Sequence, residues 1–518
     1  MQRGEPKPEC DEPRVYPSIQ AVCAGRDGDQ RVESGCMPVP NLQPVACGCT
    51  PQHRQKLPPL PVAWVFFTLL LATLACSRPT AGADNRMRVT QQGGGGVVGG
   101  ATPGVPLLQG GAFVSAGNLT PTPDPTRTFQ VVVPGSPSQD SAAKIIPDSE
   151  LVYSPSTIGF DVAGTVNQFG GYLATFYETD RLGTERSGAQ VVEIVAQRYS
   201  VNPRLLLALL EYQSGWVRSS NPAQGSLTFP MGMERGGKEG LLRQLNWAAD
   251  QLNRGFYGWL GGSLTEVVLA DGSSQPIEPG MNAGTVGVQA LFGELLSSGA
   301  WQATLQPPGF ARTYREMFGD PFANAFDPLV PADLQQPPLT WMWDTRETWY
   351  FTGGPHGGWD AGSAWAAVDF APPNEQQGCA VAPAWVTAGA AGVIVRVEDG
   401  AVTQDLDGDG FEQTGWTLLY MHMDSSERVA AGQVLPAGGR IGHPSCEGGY
   451  SNATHLHFAR RYNGVWIAAD NSVAPLNLAG WTARSAVREY DGWLVKGDRQ
   501  LEAWDGYLDI NALTMLQN

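Results

Sequence analysis

The chain has 518 residues, more than one hydrophobic core usually serves, so two folded domains joined by unstructured segments are expected. Gly 64 and Pro 40 stand above average usage while charged residues make up only 16%, the composition of a chain with long Gly/Pro-rich linkers. A formal net charge of -17 leaves the chain as a whole without a basic field for phosphate backbones, which argues against nucleic acid as a partner.

Residues 1–53 show no periodicity and read as an N-terminal extension, either a disordered tail or a stretch preceding a later start such as Met37. Cys47 and Cys49 alone are too little for a metal site. Over 54–76, Arg54 and Lys56 precede an unbroken apolar run from Val62 to Ala75 that ends at Cys76. That length suits the apolar part of an export signal, about 7 to 15 residues, better than a membrane span of about 20. The Ala-Cys ending is similar to the lipobox of bacterial lipoproteins, with Thr73 where Leu, Val or Ile is usual. A lipid anchor in the membrane, a cleaved secreted protein and an uncleaved anchor all remain open. Residues 77–144, with QQGGGGVVGG and TPTPDPT, read as a flexible tether.

A helical domain is expected over 145–318. Val191, Val192, Val195 and Tyr199 recur at helix spacing, and Asn202-Pro203 then offers an N-cap with proline at the first helical position. Leu205 to Leu210 reads as a buried helix, and Gly240–Gly255 and Val286–Leu296 as two more. The helix ending Gln213-Ser214-Gly215-Trp216 resembles the lysozyme-like domain of lytic transglycosylases, whose signature there is Glu-Ser-Gly-aromatic. Gln213 occupies the position of that family's general acid and has no proton to give a glycosidic oxygen. Glu211 lies about 200° around the helix axis and does not replace it. The resemblance therefore implies a degenerate, glycan-binding domain, with an unrelated helical spacer as the alternative.

Residues 319–340 are Pro-rich and mark a boundary. From Trp341 short alternating stretches such as AGVIVRVEDG and GWTLLYMHM predict a mainly antiparallel β domain over 341–481, followed by a C-terminal extension, 482–518. The fold class is thus α+β multidomain, a helical domain followed by a β domain. Six of the eight cysteines lie at or before Cys76, and only Cys379 and Cys446 follow it. This pair reads as a disulfide in an exported chain, or as two buried thiols.

Five of the six histidines fall in the β domain: His356, His422, His443, His455 and His457. In Thr454-His455-Leu456-His457-Phe458 the two imidazoles stand two residues apart, about 6.5 to 7 Å on one face of a strand. Catalytic zinc takes three protein ligands from His and carboxylate and leaves one position free. Asp369, the lone carboxylate of the apolar run WAAVDFA, would be costly to bury without such a partner.

The order His-loop-Asp, Tyr-x-His, His-x-His resembles the lysostaphin-type and LytM-type zinc peptidoglycan endopeptidases, and the wide separation of His356 from Asp369 resembles their β-lytic or staphylolytic branch. The match runs from Trp349 to about Trp481. Carried over by position, it implies one zinc per chain on His356, Asp369 and His457. It leaves His422 and His455 to orient or deprotonate the attacking water and to stabilise the oxyanion, while zinc polarises the scissile carbonyl. Asp360 also fits a His-x-x-x-Asp spacing, but it stands in a Gly-rich turn whereas Asp369 stands in a strand followed by Phe370-Ala371-Pro372, as in the family. His443 has no place in the scheme. Asp405, Asp407 and Asp409 open like a calcium (Ca2+) loop, but the twelfth position holds Trp416, so an Asp/Gly hairpin tip is the alternative. The resemblance implies peptidoglycan as partner and an extracytoplasmic setting in a bacterial cell envelope. The rival class is a non-catalytic activator of wall hydrolases.

Overall fold

The computed structural model describes residues 144–373 and 378–514. The expected N-terminal extension, export segment and most of the Gly/Pro-rich tether lie outside these residues. No helix among the described residues is long and apolar enough to cross a membrane.

The helices predicted from periodicity form where expected. Helix Gly188–Tyr199 starts on a capping box of Ser187 and Gln190, and Pro203–Ser214 starts on Asn202, whose side chain accepts from Arg204 N. Both end on left-handed caps, Ser200 and Gly215. Leu205 to Leu210 are fully buried, which makes the second helix the axis of this core. Leu241–Leu260 and Ala283–Leu295 pack on each other at Gly255 and Gly287, where an added Cβ would meet the facing helix at 2.7 and 2.8 Å.

The β region is a nine-stranded antiparallel sheet. Its central strands run in the order Ala401–Asp405, Trp416–Met421, Leu456–Tyr462, Ala367–Ala371, Trp349–His356. Phe351, Phe370, Leu418, Tyr420, Leu456 and Phe458 fill one core. Residues 482–514 belong to the same body, which corrects the expectation of a C-terminal extension beginning at 482. Trp481–Ser485, Gly492–Lys496 and Arg499–Glu502 form a second sheet, and Ala512–Leu513 adds to the edge strand at Trp349–Tyr350. Ala483, Leu494 and Leu513 are buried in the core beside Trp349. The expected boundary followed the end of the motifs, whereas burial of apolar side chains continues for some thirty residues.

The Pro-rich stretch after residue 319 is docked rather than free. Asn463 Nδ2 donates to Leu329 O at 2.8 Å and Trp416 Nε1 to Gln335 O at 2.9 Å. The helical and β regions also meet directly, with Ser200 Oγ donating to Gly464 O at 2.6 Å and Trp466 N to Tyr257 Oη at 3.0 Å. Buried Glu412 lies between Arg396 and Arg461, accepting at 2.9 and 2.6 Å.

Candidate metal centre

Strand register brings three of the predicted side chains together. His457 stands opposite Asp369, and Asp369 opposite Gly353 on the next strand. A bulge between Gly353 and His356 then swings the imidazole back toward the carboxylate. Glycine is required at 353, because a Cβ would come within 2.5 Å of Asp369 Oδ2.

The three groups converge on one point. His356 Nε2 lies 3.0 Å from His457 Nδ1 and 3.3 Å from Asp369 Oδ1, and His457 Nδ1 is 3.3 Å from the same oxygen. All three residues are buried. The other ring nitrogens face backbone carbonyls: His356 Nδ1 donates to Gly354 O at 2.8 Å and His457 Nε2 to Gly358 O at 3.1 Å. Each ring has then placed its one proton, and two lone pairs and a carboxylate oxygen point at each other. Asp369 Oδ1 is a buried atom with no hydrogen-bond partner.

Such an arrangement calls for a positive charge at its centre. Burial works against charge on His356, but Asp369 outweighs it and raises the imidazole pKa. For Asp369 burial acts upward, and His356 and His455 outweigh it, holding the carboxyl well below its ordinary value. A divalent cation satisfies all three groups without that proton. Ligands about 2.0 to 2.1 Å from a tetrahedral zinc stand about 3.3 Å from one another, which is the spacing seen here. The donor set and its backbone-anchored rings fit zinc with a fourth position open.

His422 and His455 stand beside this trio. Their ring centroids are 4.5 Å apart, and His455 Nε2 is 3.7 Å from Asp369 Oδ1. Burial, reinforced by the neighbouring His455 and His457, lowers the His422 pKa to about 3.

Other predicted residues lie elsewhere or do other work. Asp360 sits in a left-handed turn (φ 59°) and accepts from Tyr199 Oη at 2.9 Å, apart from the three converging groups. His443 donates to Ala384 O at 2.9 Å and packs on Trp385. Asp405 accepts from the backbone of Asp407, Gly408 and Gly410, and Asp409 from Phe411 N and Thr414 Oγ1. These acids order a hairpin tip, and no observation beyond their proximity points to calcium. Gln213 donates to Met231 O at 3.3 Å, while Glu211 caps Val217 N and Arg218 N at 3.1 and 2.9 Å. Cys379 and Cys446 are disulfide-bonded, with Cα atoms 5.3 Å apart.

Tyr490 and Glu489 escaped the sequence reading. Tyr490 stacks on His356 at 4.2 Å and 20°, and Glu489 accepts from Gly357 N at 3.1 Å. Neither lies in a motif, and the 134 positions from His356 to Tyr490 carry no local signal linking them. Arg181, Arg198, Tyr199 and Asn246 of the helical region share the walls of the cleft, about 540 Å³, with His356, His422 and His457.

Residues 144–332 match the family model of the LasA N-terminal domain, a different description from the lytic-transglycosylase likeness at Gln213–Trp216. Protease LasA of Pseudomonas aeruginosa is 28% identical over 308 residues, 55% of this chain and 68% of that protein. Among solved structures, the M23 metalloprotease pseudoalterin from the deep sea is 23% identical, covering 33% of this chain and 96% of its own, with a TM-score of 0.27. The lysostaphin catalytic domain of Staphylococcus simulans is 25% identical, covering 24% and 89%, with a TM-score of 0.17.

Proposed function

We propose that the chain is a zinc metallopeptidase of the lysostaphin and LytM type that hydrolyses peptide crosslinks of bacterial peptidoglycan outside the cytoplasm, a reading supported by its likeness to Protease LasA. The observation that carries the site assignment is the convergence of two imidazole nitrogens and one buried carboxylate oxygen to within 3.0 to 3.3 Å of one another. His356, Asp369 and His457 would hold zinc, and zinc when bound supplies Lewis-acid polarisation of the scissile carbonyl. His422 and His455 offer Nε2 lone pairs beside it. One takes a proton from the attacking water at Nε2, and the imidazolium so formed can donate that N–H to the oxyanion that develops on the carbonyl oxygen, while the other orients the water. Tyr490 packs His356 in place from the opposite side.

The Cys379–Cys446 disulfide supports an oxidising, extracytoplasmic setting, whether the chain is lipid-anchored through Cys76 or released. For the helical region our reading is a glycan-holding domain without hydrolytic power. Gln213 Nε2 donates to Met231 O, and Glu211 accepts from Val217 N, Arg218 N and Arg218 Nε, so the carboxylate at that helix end is already engaged.

Digestion of purified wall followed by mass spectrometry of the released muropeptides tests the proposal. New amino termini in the stem or bridge peptides are expected. Cleaved sugar linkages would replace it with a glycosidase, and bound but intact wall would replace it with a non-catalytic activator.

A further inference from the structure

The two imidazoles assigned to the water and the oxyanion are not oriented by their own strands. His422 follows strand Trp416–Met421 with its backbone in the left-handed region, φ 67°. A residue with a Cβ keeps that conformation only where its surroundings impose it. Here the segment from Ser445 to Glu447 holds it, beside Met423 N, which donates to Gly400 O at 2.9 Å. Ser445 donates its backbone N–H at 2.7 Å and its Oγ at 2.9 Å to His422 O, and Glu447 O accepts from His422 Nδ1 at 3.1 Å. At the other end of the segment His455 Nδ1 donates to Ala453 O at 2.8 Å, with Ser451 Oγ at 3.3 Å. Both rings thus carry their proton on Nδ1 and leave the Nε2 lone pair for chemistry.

Residues 445–453 are in turn fastened to a second segment, 378–382. Cys446 is bonded to Cys379, Ala382 N donates to Pro444 O at 3.0 Å, and Thr454 N donates to Gly378 O at 3.0 Å. Arg428 Nη1 braces the segment from outside, reaching Glu447 Oε1 at 2.8 Å and Met423 O at 2.7 Å. The proposed zinc ligands take their backbone partners from a different wall, Gly354 O and Gly358 O. The carbonyls that hold the proposed ligand rings are therefore separate from those that hold His422 and His455.

We propose that the Cys379–Cys446 disulfide is a positioning element of the reaction. It holds 445–453 so that His422 and His455 keep the Nδ1-protonated form, and opening it lowers turnover without releasing metal. This rests on the peptidase reading above. A bond that served fold stability alone would leave turnover of the folded protein unchanged.

The test compares the full chain with its Cys379→Ala/Cys446→Ala variant by bound zinc, by kcat and KM on crosslinked wall fragments, and by the ¹⁵N ring signals of His422 and His455 in metal-free protein. Equal zinc, a KM within about twofold and a kcat lower by roughly 10- to 100-fold are expected, with mixed tautomer signals replacing single ones. Unchanged kcat and ring signals would overturn the proposal, and so would zinc lost together with kcat. Should the double variant not fold, Arg428→Met removes the brace on Glu447 with the bond intact. It should lower kcat less, in the same direction, and unaltered ring signals there would count against the idea. If the parent binds zinc yet releases no peptide product, the peptidase reading fails, and the ring signals still decide the positioning.

Discussion

Glu150 and Asp369 are both buried carboxylates, one in each region, and their surroundings differ in a way that separates structure from chemistry. Glu150 accepts from Asn202 Nδ2 at 3.1 Å, from Arg204 Nε at 3.0 Å and Nη2 at 2.7 Å, and from Tyr314 Oη. Both oxygens accept from donors, so the group ties three helices together, Asp148–Leu151, Pro203–Ser214 and Gly309–Phe318. Asp369 is buried too, but its Oδ1 faces two imidazole lone pairs and no donor. Unpaired buried polar atoms are costly, and at Asp369 the two imidazole nitrogens beside the carboxylate make a cation the partner that would offset the cost.

The sharpest way to break this contrast is to delete each acid. Asp369→Ala should empty the metal site and reduce peptide hydrolysis by roughly 10⁴-fold or more, with the fold retained. Zinc analysis and wall digestion measure both. Full zinc in Asp369→Ala, with loss only in Asp360→Ala, would transfer the ligand role to the turn residue.

Within the β region, His422→Ala and His455→Ala should each keep zinc and lose about 10² to 10⁴ in kcat, while His457→Ala loses metal and activity together. The reverse pattern within His455-Leu456-His457 would exchange the two roles.

Glu150→Ala should do the opposite of Asp369→Ala. It leaves Arg204 buried without its partner and should cost about 3 to 5 kcal/mol of stability with no change in zinc content. Denaturant titration measures it, and a loss below about 1 kcal/mol would show that the network is better solvated than its geometry implies.

The smallest expected effect concerns Asp327. Burial and the charge of Asp148 raise its pKa from 3.8 to about 6. A folded-state value above the unfolded one means that the native chain binds the proton more tightly. Its stabilising contribution is complete below about 3.8 and is lost as the pH rises through about 6. Melting temperatures across that window should fall in the parent and fall less in Asp327→Asn. Parallel curves would remove Asp327 from the account.

Much of the site was legible because it is local. The Asn202-Pro203 cap, the isolation of Cys379 and Cys446, and the two imidazoles of His455-Leu456-His457 follow from nearest-neighbour geometry. Apolar periodicity likewise announced the buried helix at Leu205–Leu210. What sequence order did not reveal depends on contacts distant along the chain. Tyr490 reaches His356 only because the second sheet packs its connecting turn on the edge strand, with Tyr490 itself in a left-handed conformation of φ 70°. The tail at 482–514 joins the β body because Leu494 and Leu513 find apolar surface there. The proton positions on four histidines are set by carbonyls of Gly354, Glu447, Ala453 and Gly358. Sequence by itself determined which residue types could bind a cation or move a proton, since that chemistry belongs to each side chain. Tertiary structure decided which lone pairs were left over, because hydrogen-bond satisfaction is a property of neighbours in space.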